Sequence, residues 1–247
     1  MSTTNLDRAD VVVRPLRFTD HLPQMKAFLS LLGFSPRVSR GDSWVTMVGG
    51  SGEVALHDAA LSADAQSGET TLMFEVPDAA VLRARLAAAG FEDAEIYDEA
   101  WGRVLTVRGD DDTQLSFDER PHDCYGYQVD EPQPQHGIVS MALLFGPPTE
   151  PLERLFSAAG LVRLDHDSRE TWHVWEGRGG LVALCPADDN VPTESVRLAF
   201  RTRESLSVLA ERLNTAGYTR VLLTDSSGGH LTVTDPDGQD VLIQRLG

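Results

Sequence analysis

The sequence predicts an α+β protein made of four βαβββ units in two tandem pairs, and two observations carry this prediction. First, the chain repeats itself at an offset of 126 residues: "LTV" at 105–107 returns at 231–233, and "TLMFEV" at 71–76 corresponds to "RLAFRT" at 197–202. Second, each half contains two segments of helical periodicity. Each segment follows an alternating run typical of a strand and precedes three short β-rich runs.

The first half contains the first two units. The strand-like run "VVVRPLRF" (11–18) precedes a helix in "HLPQMKAFLSLLGF" (21–34), which is predicted to end at Gly33. The run "TTLMFEV" (70–76) precedes a second helix, "DAAVLRARLAAAGF" (78–91), with Asp78 at its start and Gly90 at its end. A glycine directly after the last apolar position indicates a helix C-terminus, because glycine adopts the left-handed conformation at little cost.

The second half repeats this order. "IVSMALLF" (138–145) precedes the helix in "EPLERLFSAAGL" (150–161), and "SVRLAFRT" (195–202) precedes a helix that ends at Gly217. Between the halves, residues 118–137 are rich in proline and glycine, which is typical of a linker. We therefore predict two domains, 1–127 and 128–247, with the boundary near residue 130.

Composition limits the partners. The chain has 38 Asp and Glu against 21 Lys and Arg, a net charge of -17. This field repels nucleic acids and anionic membranes and favours cationic small molecules or basic partners. Only two cysteines occur, and no apolar stretch approaches the roughly 18 residues of a membrane span. The sequence predicts a cytoplasmic protein with neither a nucleic-acid nor a membrane partner.

The four units, the "AAG" helix ends and the "DPDG" turn (235–238) before the last strand resemble the vicinal oxygen chelate superfamily. This superfamily is also called the glyoxalase, bleomycin-resistance and extradiol-dioxygenase fold. The resemblance covers nearly the whole chain. It implies that each pair of units curls its strands into a cup with the helices outside. In metal-using members it implies up to four ligands per cup, a His or Gln in the first strand of each unit and a Glu or similar residue in the last.

The ligand positions that the resemblance implies hold poor metal ligands in this sequence. In the first cup only His57 is a plausible ligand, because the other three positions are Val13, Thr71 and Ser116. In the second cup the corresponding residues are Ser140, Arg197, Leu242 and Cys185. One imidazole or one thiolate falls short of the three or four ligands that a catalytic divalent ion usually takes. We therefore expect no metal site and no cofactor.

Strand alternation predicts which side chains face each cup. If Leu16 and Phe18 pack under the helix, Val13, Pro15 and Arg17 face the first cup, and in the second cup Ser140, Ala142 and Leu144 face inward. Two inward arginines in the second cup suggest an anionic or carboxylate-bearing ligand, unless they pair with local acids such as Asp240. The candidate ligand-binding residues are Arg17, Trp44, His57, Glu75, Ser116, Trp172, Arg197 and Arg201.

Three functions stay open at this point. The first is a metal-free protein, similar to the bleomycin-resistance branch, that binds an organic small molecule without chemical change. The second is a lyase, epimerase or dioxygenase of the same superfamily that uses His57 with Glu53 or Glu75 in an altered ligand set; no catalytic residue is assigned. The third is a regulatory or assembly module. The tryptophans could instead serve as core residues or as contacts in a homodimer.

Overall fold

The chain forms the four predicted units. The structure, a computed structural model, describes residues 10–99, 101–109, 114–121, 124, 126–135, 137–164, 171–187, 192–218, 220–224 and 229–246. The first unit contains β1 (Val12–Val13), β2 (Leu16–Thr19), α1 (Leu22–Leu32), β3 (Ser35–Arg40), β4 (Trp44–Val48) and β5 (Glu53–Asp58), followed by a 3-10 turn at Ala59–Leu61. The second contains β6 (Thr70–Thr71), β7 (Met73–Val76), α2 (Ala79–Ala88), β8 (Glu95–Glu99), β9 (Gly102–Arg108) and β10 (Gln114–Glu119).

The second half follows the same order, which confirms the α+β fold class. Strand β11 (Gln128–Val129) lies in the predicted linker and pairs with β3. The third unit contains β12 (Ile138–Phe145), α3 (Glu150–Ala159), β13 (Val162–Arg163), β14 (His173–Glu176) and β15 (Leu181–Cys185). The fourth contains β16 (Val196–Thr202), α4 (Leu206–Thr215), β17 (Val221–Thr224), β18 (His230–Thr234) and β19 (Asp240–Arg245). The domain boundary at residues 127 and 128 stays a prediction.

Two helix boundaries lie at predicted capping residues. Helix α1 ends at Gly33, whose φ of 105° is left-handed, and α2 begins after Asp78, whose carboxylate accepts hydrogen bonds from two backbone N–H groups of the first turn. No helix in the described parts of the chain has the length and apolar character needed to cross a membrane.

The strands form two sheets in the first half and one sheet in the second half. In the second half the sheet is continuous, in the order β13-β14-β15-β12-β16-β19-β18-β17. In the first half the corresponding order of strands is interrupted at its centre, because Arg14 and Pro15 separate β1 from β2 and proline has no N–H for the ladder. The register nevertheless continues across the interruption: Val13 pairs with Phe74 on one side, and Leu16 pairs with Thr71 on the other. We call the concave faces of the two halves the first cup and the second cup.

The first strand of each half faces opposite to the prediction. Val13 packs in the apolar cluster of α2 and α3, and Arg17 is the register partner of Leu56, which packs beneath α1. The prediction that Arg17 faces the first cup is therefore wrong. In the second half Ala142 lies on the helix side, whereas Met141 lines the cup. In both halves, therefore, the residues predicted to face the cup face the helices, and their neighbours in sequence face the cup.

Each helix-side core is shared by the two halves. One apolar cluster joins α2 to α3 through Leu86 and Phe156, and another joins α1 to α4 through Phe28 and Leu209. Because burial of apolar surface is the main stabilising contribution in folding, this arrangement holds the halves together as one structure.

The two halves also meet through equivalent glycine loops. Ser51 bridges to Val139, and in the matching contact Gly179 bridges to Val12. Gly52 and Gly180 have φ values of 79° and 78°, and a Cβ on Gly52 would lie 2.6 Å from the Gly180 Cα. Glycine at these positions allows the backbones of the two loops to approach closely.

Candidate functional site

The first cup contains a cluster of ionic side chains at one end. We call it the first-cup ion cluster. Each member comes from a strand or from the residue next to one: Arg14 follows β1, Arg37 lies on β3, Glu53 begins β5, Glu75 lies on β7, Asp118 lies on β10, and Arg120 follows β10.

Glu75 is the centre of this cluster and is fully buried. Its Oε2 accepts hydrogen bonds from Arg14 Nη1 at 2.9 Å and from Arg37 Nη2 at 2.6 Å, and its Oε1 accepts from Arg120 Nε. The same Arg37 nitrogen also donates to Glu53 Oε2 at 2.8 Å. Arg14 Nη2 pairs with the Asp118 carboxylate. The cluster thus balances three carboxylates with three guanidinium groups.

Local backbone features bring the two most buried arginines of the cluster into the cup. Arg37 lies at an irregularity in the pairing of β3 with β4, between Pro36 and Val38, and a bulge of this kind re-aims a side chain. Arg14 lies beside the interruption at Pro15, and its backbone N–H still donates to the Met73 carbonyl at 2.9 Å. The sheet ladder therefore holds Arg14 in register opposite β7.

The three carboxylates have different acidities. Burial raises the pKa of Glu75, but the combined attraction of the three cluster arginines outweighs it and holds the pKa below its ordinary value. Burial raises the pKa of Glu53, and the neighbouring charge of Glu75 adds to that effect. Burial also raises the pKa of Asp118, despite the attraction of Arg14.

The donor set of this cluster does not fit a divalent metal ion. Arg14, Glu53, Glu75 and Asp118 come from, or directly follow, the first or last strands of the two units, where the fold resemblance implies ligands. However, a guanidinium group has only donors and a fixed positive charge, so it cannot coordinate a cation, and it occupies the carboxylate oxygens that could. Within the described residues, no group of three His, Cys, Asp or Glu side chains is arranged to hold a metal.

The opposite end of the first cup is aromatic. The His57 ring makes edge contacts with Phe18 and Trp44, at centroid distances of 5.6 and 5.7 Å. His57 Nδ1 is buried and has no hydrogen-bond partner among the residues that the structure describes. Glu53 and His57 lie four residues apart on β5, about 13 Å at the usual strand rise. Between them on β5 lies the small side chain of Ala55, whose register partner is Thr46. On the second unit Ser116 pairs with Thr106 and lies two residues from Asp118 on β10.

Two predicted residues, Glu75 and Ser116, lie on one face of the second unit's strands, since Ser116 pairs in register with Met73 and Asp118 with Glu75. Trp44 and His57 lie together at the aromatic end of the cup. The structure thus brings four of the predicted residues into the first cup, in two groups. Their roles in ligand binding stay predictions.

Arg17 serves a different purpose. Its guanidinium is buried and forms an ion pair with Asp235 at 2.9 Å, and it also donates to the Gly68 carbonyl. Asp235 begins the "DPDG" turn and accepts hydrogen bonds from the backbone N–H groups of Asp237 and Gln239. The turn therefore connects the last unit to β2 of the first unit.

The second cup is largely apolar. Its centre consists of buried side chains packed on one another, among them Met141, Ala183, Cys185 and Ala199, with Trp172 beside them. The guanidinium of Arg197 lies 5.7 Å from the centre of the Phe145 ring. Arg201 lies opposite Val139 in the sheet.

Two cavities adjoin these regions. One, of about 340 Å³, reaches Glu53 and Arg120 at the ionic end of the first cup. The other, of about 440 Å³, lies between the halves and brings Arg17 and Arg197 into one cleft, although the sequence predicts them in different cups. The lining of the larger cavity is mixed in charge, because Glu194 and Asp240 also border it.

Sequence reasoning missed four members of the ion cluster: Arg14, Arg37, Asp118 and Arg120. The signal for Arg14 was its position within "VVVRPLRF", where a charged residue directly follows three valines. The predicted ligand positions lie close to the cluster residues in sequence. Val13 is one residue from Arg14, and Ser116 is two residues from Asp118. His57 is four residues from Glu53, and Thr71 is four residues from Glu75. Arg37 gave no signal, because the bulge that turns it inward is not visible in the sequence.

Solved structures share this fold. The 2,3-dioxygenase LapB from Pseudomonas sp. KL28 is similar over 100% of this chain and 94% of its own, at 13% identity and a TM-score of 0.64. A Mn(II)-bound glyoxalase from Novosphingobium aromaticivorans is similar over 97% of this chain and 83% of its own, at 13% identity and a TM-score of 0.58.

A third similar structure is much longer. This chain spans 49% of a xylose isomerase-like TIM barrel/4-hydroxyphenylpyruvate dioxygenase fusion protein, with 98% of this chain covered, 14% identity and a TM-score of 0.56. No family model and no curated protein matches the sequence. At these identities the likeness shows the fold alone.

Proposed function

On the vicinal oxygen chelate fold that this chain has, we propose that the protein binds an organic small molecule in the first cup without a divalent metal ion. One observation supports this most directly: Glu53, Glu75 and Asp118, the acidic residues at the ionic end of the cup, are each paired with an arginine. A metal would have to displace these guanidinium groups. Recognition therefore comes from shape, ring contacts and hydrogen bonds, as in a metal-free binding role of the bleomycin-resistance type.

The walls of the cup suggest what the guest looks like. Trp44 and His57 offer ring faces and edges for an aromatic or apolar group. The hydroxyl groups of Thr106 and Ser116, which pair across β9 and β10, offer hydrogen bonds. The net charge of -17 attracts cations to the protein. These features together favour an aromatic metabolite that is neutral or positively charged.

The alternative, a metal-dependent lyase, epimerase or dioxygenase, has less support. It would need His57 to share an ion with Glu53 or Glu75. His57 lies about 13 Å along the strand from Glu53, and both carboxylates accept hydrogen bonds from Arg37. The similar solved structures include a dioxygenase and a Mn(II)-bound glyoxalase. Those names describe the activities of those proteins and add no support for metal chemistry in this one.

Titration calorimetry with a panel of cationic and aromatic metabolites, in the presence of EDTA, tests the proposal. We expect one or more metabolites to bind with chelator present, and His57→Ala and Trp44→Ala to weaken that binding. Leu222→Ala is the matched control, because Leu222 is 66% exposed on β17 of the other half. Binding that EDTA abolishes, or that both cup variants leave unchanged, would contradict the proposal.

We also propose, from the composition, a cytoplasmic location, a small-molecule ligand and no nucleic-acid or membrane partner. Sedimentation analysis of the purified protein distinguishes a monomer from a homodimer.

A further inference from the structure

We infer that the guanidinium groups of Arg14 and Arg37 take the place of a divalent cation among Glu53, Glu75 and Asp118, which makes the first cup a latent metal site. The inference rests on the proposed metal-independent function, because it concerns the same cup. It goes further by assigning to two arginines the charge that a metal ion would otherwise supply. The site should accept a hard cation such as Mn²⁺ once these arginines are removed.

The hydrogen bonds place the two arginines between the carboxylates. Glu75 Oε2 accepts from Arg14 at 2.9 Å and from Arg37 at 2.6 Å, so one oxygen receives both guanidinium groups. Arg14 also pairs with Asp118, and Arg37 with Glu53. Each arginine therefore links Glu75 to one other carboxylate.

The charges agree with this substitution. The three carboxylates carry three negative charges, and Arg120 supplies one positive charge from its half-exposed position beside Glu75. The remaining two charges are balanced by Arg14 and Arg37, which together equal one divalent ion. Carboxylate oxygens are the ligands that Mg²⁺, Ca²⁺ and Mn²⁺ prefer.

The pairing leaves buried polar atoms unsatisfied on both sides. Asp118 Oδ1 has no hydrogen-bond partner among the described residues. The Nε–H groups of Arg14 and Arg37 are both buried and have no acceptor within the described part of the chain. Buried donors usually find a partner, so this fit is incomplete. A metal ion carries no N–H group and would bind the same oxygens without that cost.

The test compares Mn²⁺ binding by the wild type with that of Arg14→Met and Arg14→Met/Arg37→Met, in the full chain. Methionine keeps an unbranched apolar stem and removes the charge and the donors. Electron paramagnetic resonance measures free Mn²⁺, and thermal unfolding measures stabilisation. We expect the double variant to bind one Mn²⁺ with a dissociation constant below about 10⁻³ M and to unfold at a higher temperature with Mn²⁺.

Two controls locate the site. Arg103→Met removes an arginine that is paired with Glu119, the residue next to Asp118, and should create no Mn²⁺ site. Adding Glu75→Gln to the double variant should abolish the new binding, because Glu75 is the carboxylate shared by both arginines.

The outcomes are distinguishable. If the double variant folds only with Mn²⁺, the inference is supported. If it folds without gaining Mn²⁺ binding, or stays unfolded with Mn²⁺ while folded Arg14→Met gains none, the inference is wrong and the proposed function is unaffected. If the wild type itself binds one Mn²⁺ in the cup, both the inference and the proposed function are wrong.

Discussion

Glu53 and Glu75 accept hydrogen bonds from the same nitrogen of Arg37, yet their pKa values shift in opposite directions. Glu75 receives two further arginines, and its pKa falls below the ordinary value. Glu53 is buried beside the Glu75 charge, and its pKa rises. Two neighbouring carboxylates of the first cup thus respond to pH with opposite sign.

This opposition predicts how stability depends on pH. The folded protein binds the Glu53 proton more tightly than the unfolded chain does. As pH rises from 4.5 through the folded pKa of Glu53, the free energy of unfolding of the wild type should therefore fall relative to that of Glu53→Gln. Glu75 holds its proton less tightly when folded, so the wild type should lose stability relative to Glu75→Gln as pH falls below 4.5. Urea unfolding from about pH 3 to 8 measures both differences. Slopes of the same sign for the two variants would contradict the assigned environments.

The buried ion pair of Arg17 with Asp235 should be important for stability. Both side chains are at most 2% exposed, so Arg17→Met alone leaves an unpaired buried carboxylate and should cost about 3–5 kcal/mol in the free energy of unfolding. Arg17→Met/Asp235→Asn should cost less than the sum of the single changes, because the two groups are coupled. Equilibrium urea denaturation measures these costs.

The control for this prediction is Arg212→Met, which breaks an ion pair with Glu204 that is about a quarter to a third exposed. That change should cost no more than about 1 kcal/mol, as is usual for solvent-accessible pairs. Equal costs for the two arginines would show that burial of the Arg17 pair has no energetic consequence.

The glycine contact between the halves predicts a difference between two substitutions. Gly52→Ala would place a methyl group 2.6 Å from the Gly180 Cα, whereas Gly41→Ala would meet nothing within 4 Å. Both positions have positive φ, so both variants carry the backbone strain of about 1 kcal/mol or more. Only Gly52→Ala should also force the halves apart. Chemical denaturation should show a larger loss for Gly52→Ala, and equal losses would contradict the close contact.

Much of the fold could be predicted from the sequence because its signals are local and repeated. The duplicated segments gave the order of the units, and the glycine at position 33 ends its helix as expected. The face of the first strand could not be predicted correctly, because "VVVRPLRF" has an arginine at position 14 and another at position 17, on opposite faces. Arg17 tolerates burial because it pairs with Asp235 and donates to the Gly68 carbonyl, and the position of Asp235 depends on how the halves pack.

Part of the site could also be predicted, because strand alternation is a local signal in the sequence. Alternation placed Glu75 and Ser116 on one face, which the pairing of β7 with β10 confirms. The ion cluster depends on side chains from five strands or their ends and on a bulge beside Arg37, and neither feature is local in sequence. An alignment to the ligand pattern of the fold could therefore miss Asp118 by two residues and still place its strand correctly.

Metal analysis of the wild-type protein tests the central claim most directly. The protein is purified without chelator, equilibrated with Mn²⁺, Fe²⁺, Ni²⁺ or Zn²⁺, desalted and examined by mass spectrometry of its metals, with Glu75→Gln alongside. The account predicts far less than one metal ion per chain in both proteins, because Arg14 and Arg37 occupy the carboxylates of the first cup. One retained ion per wild-type chain that is lost in Glu75→Gln would contradict it.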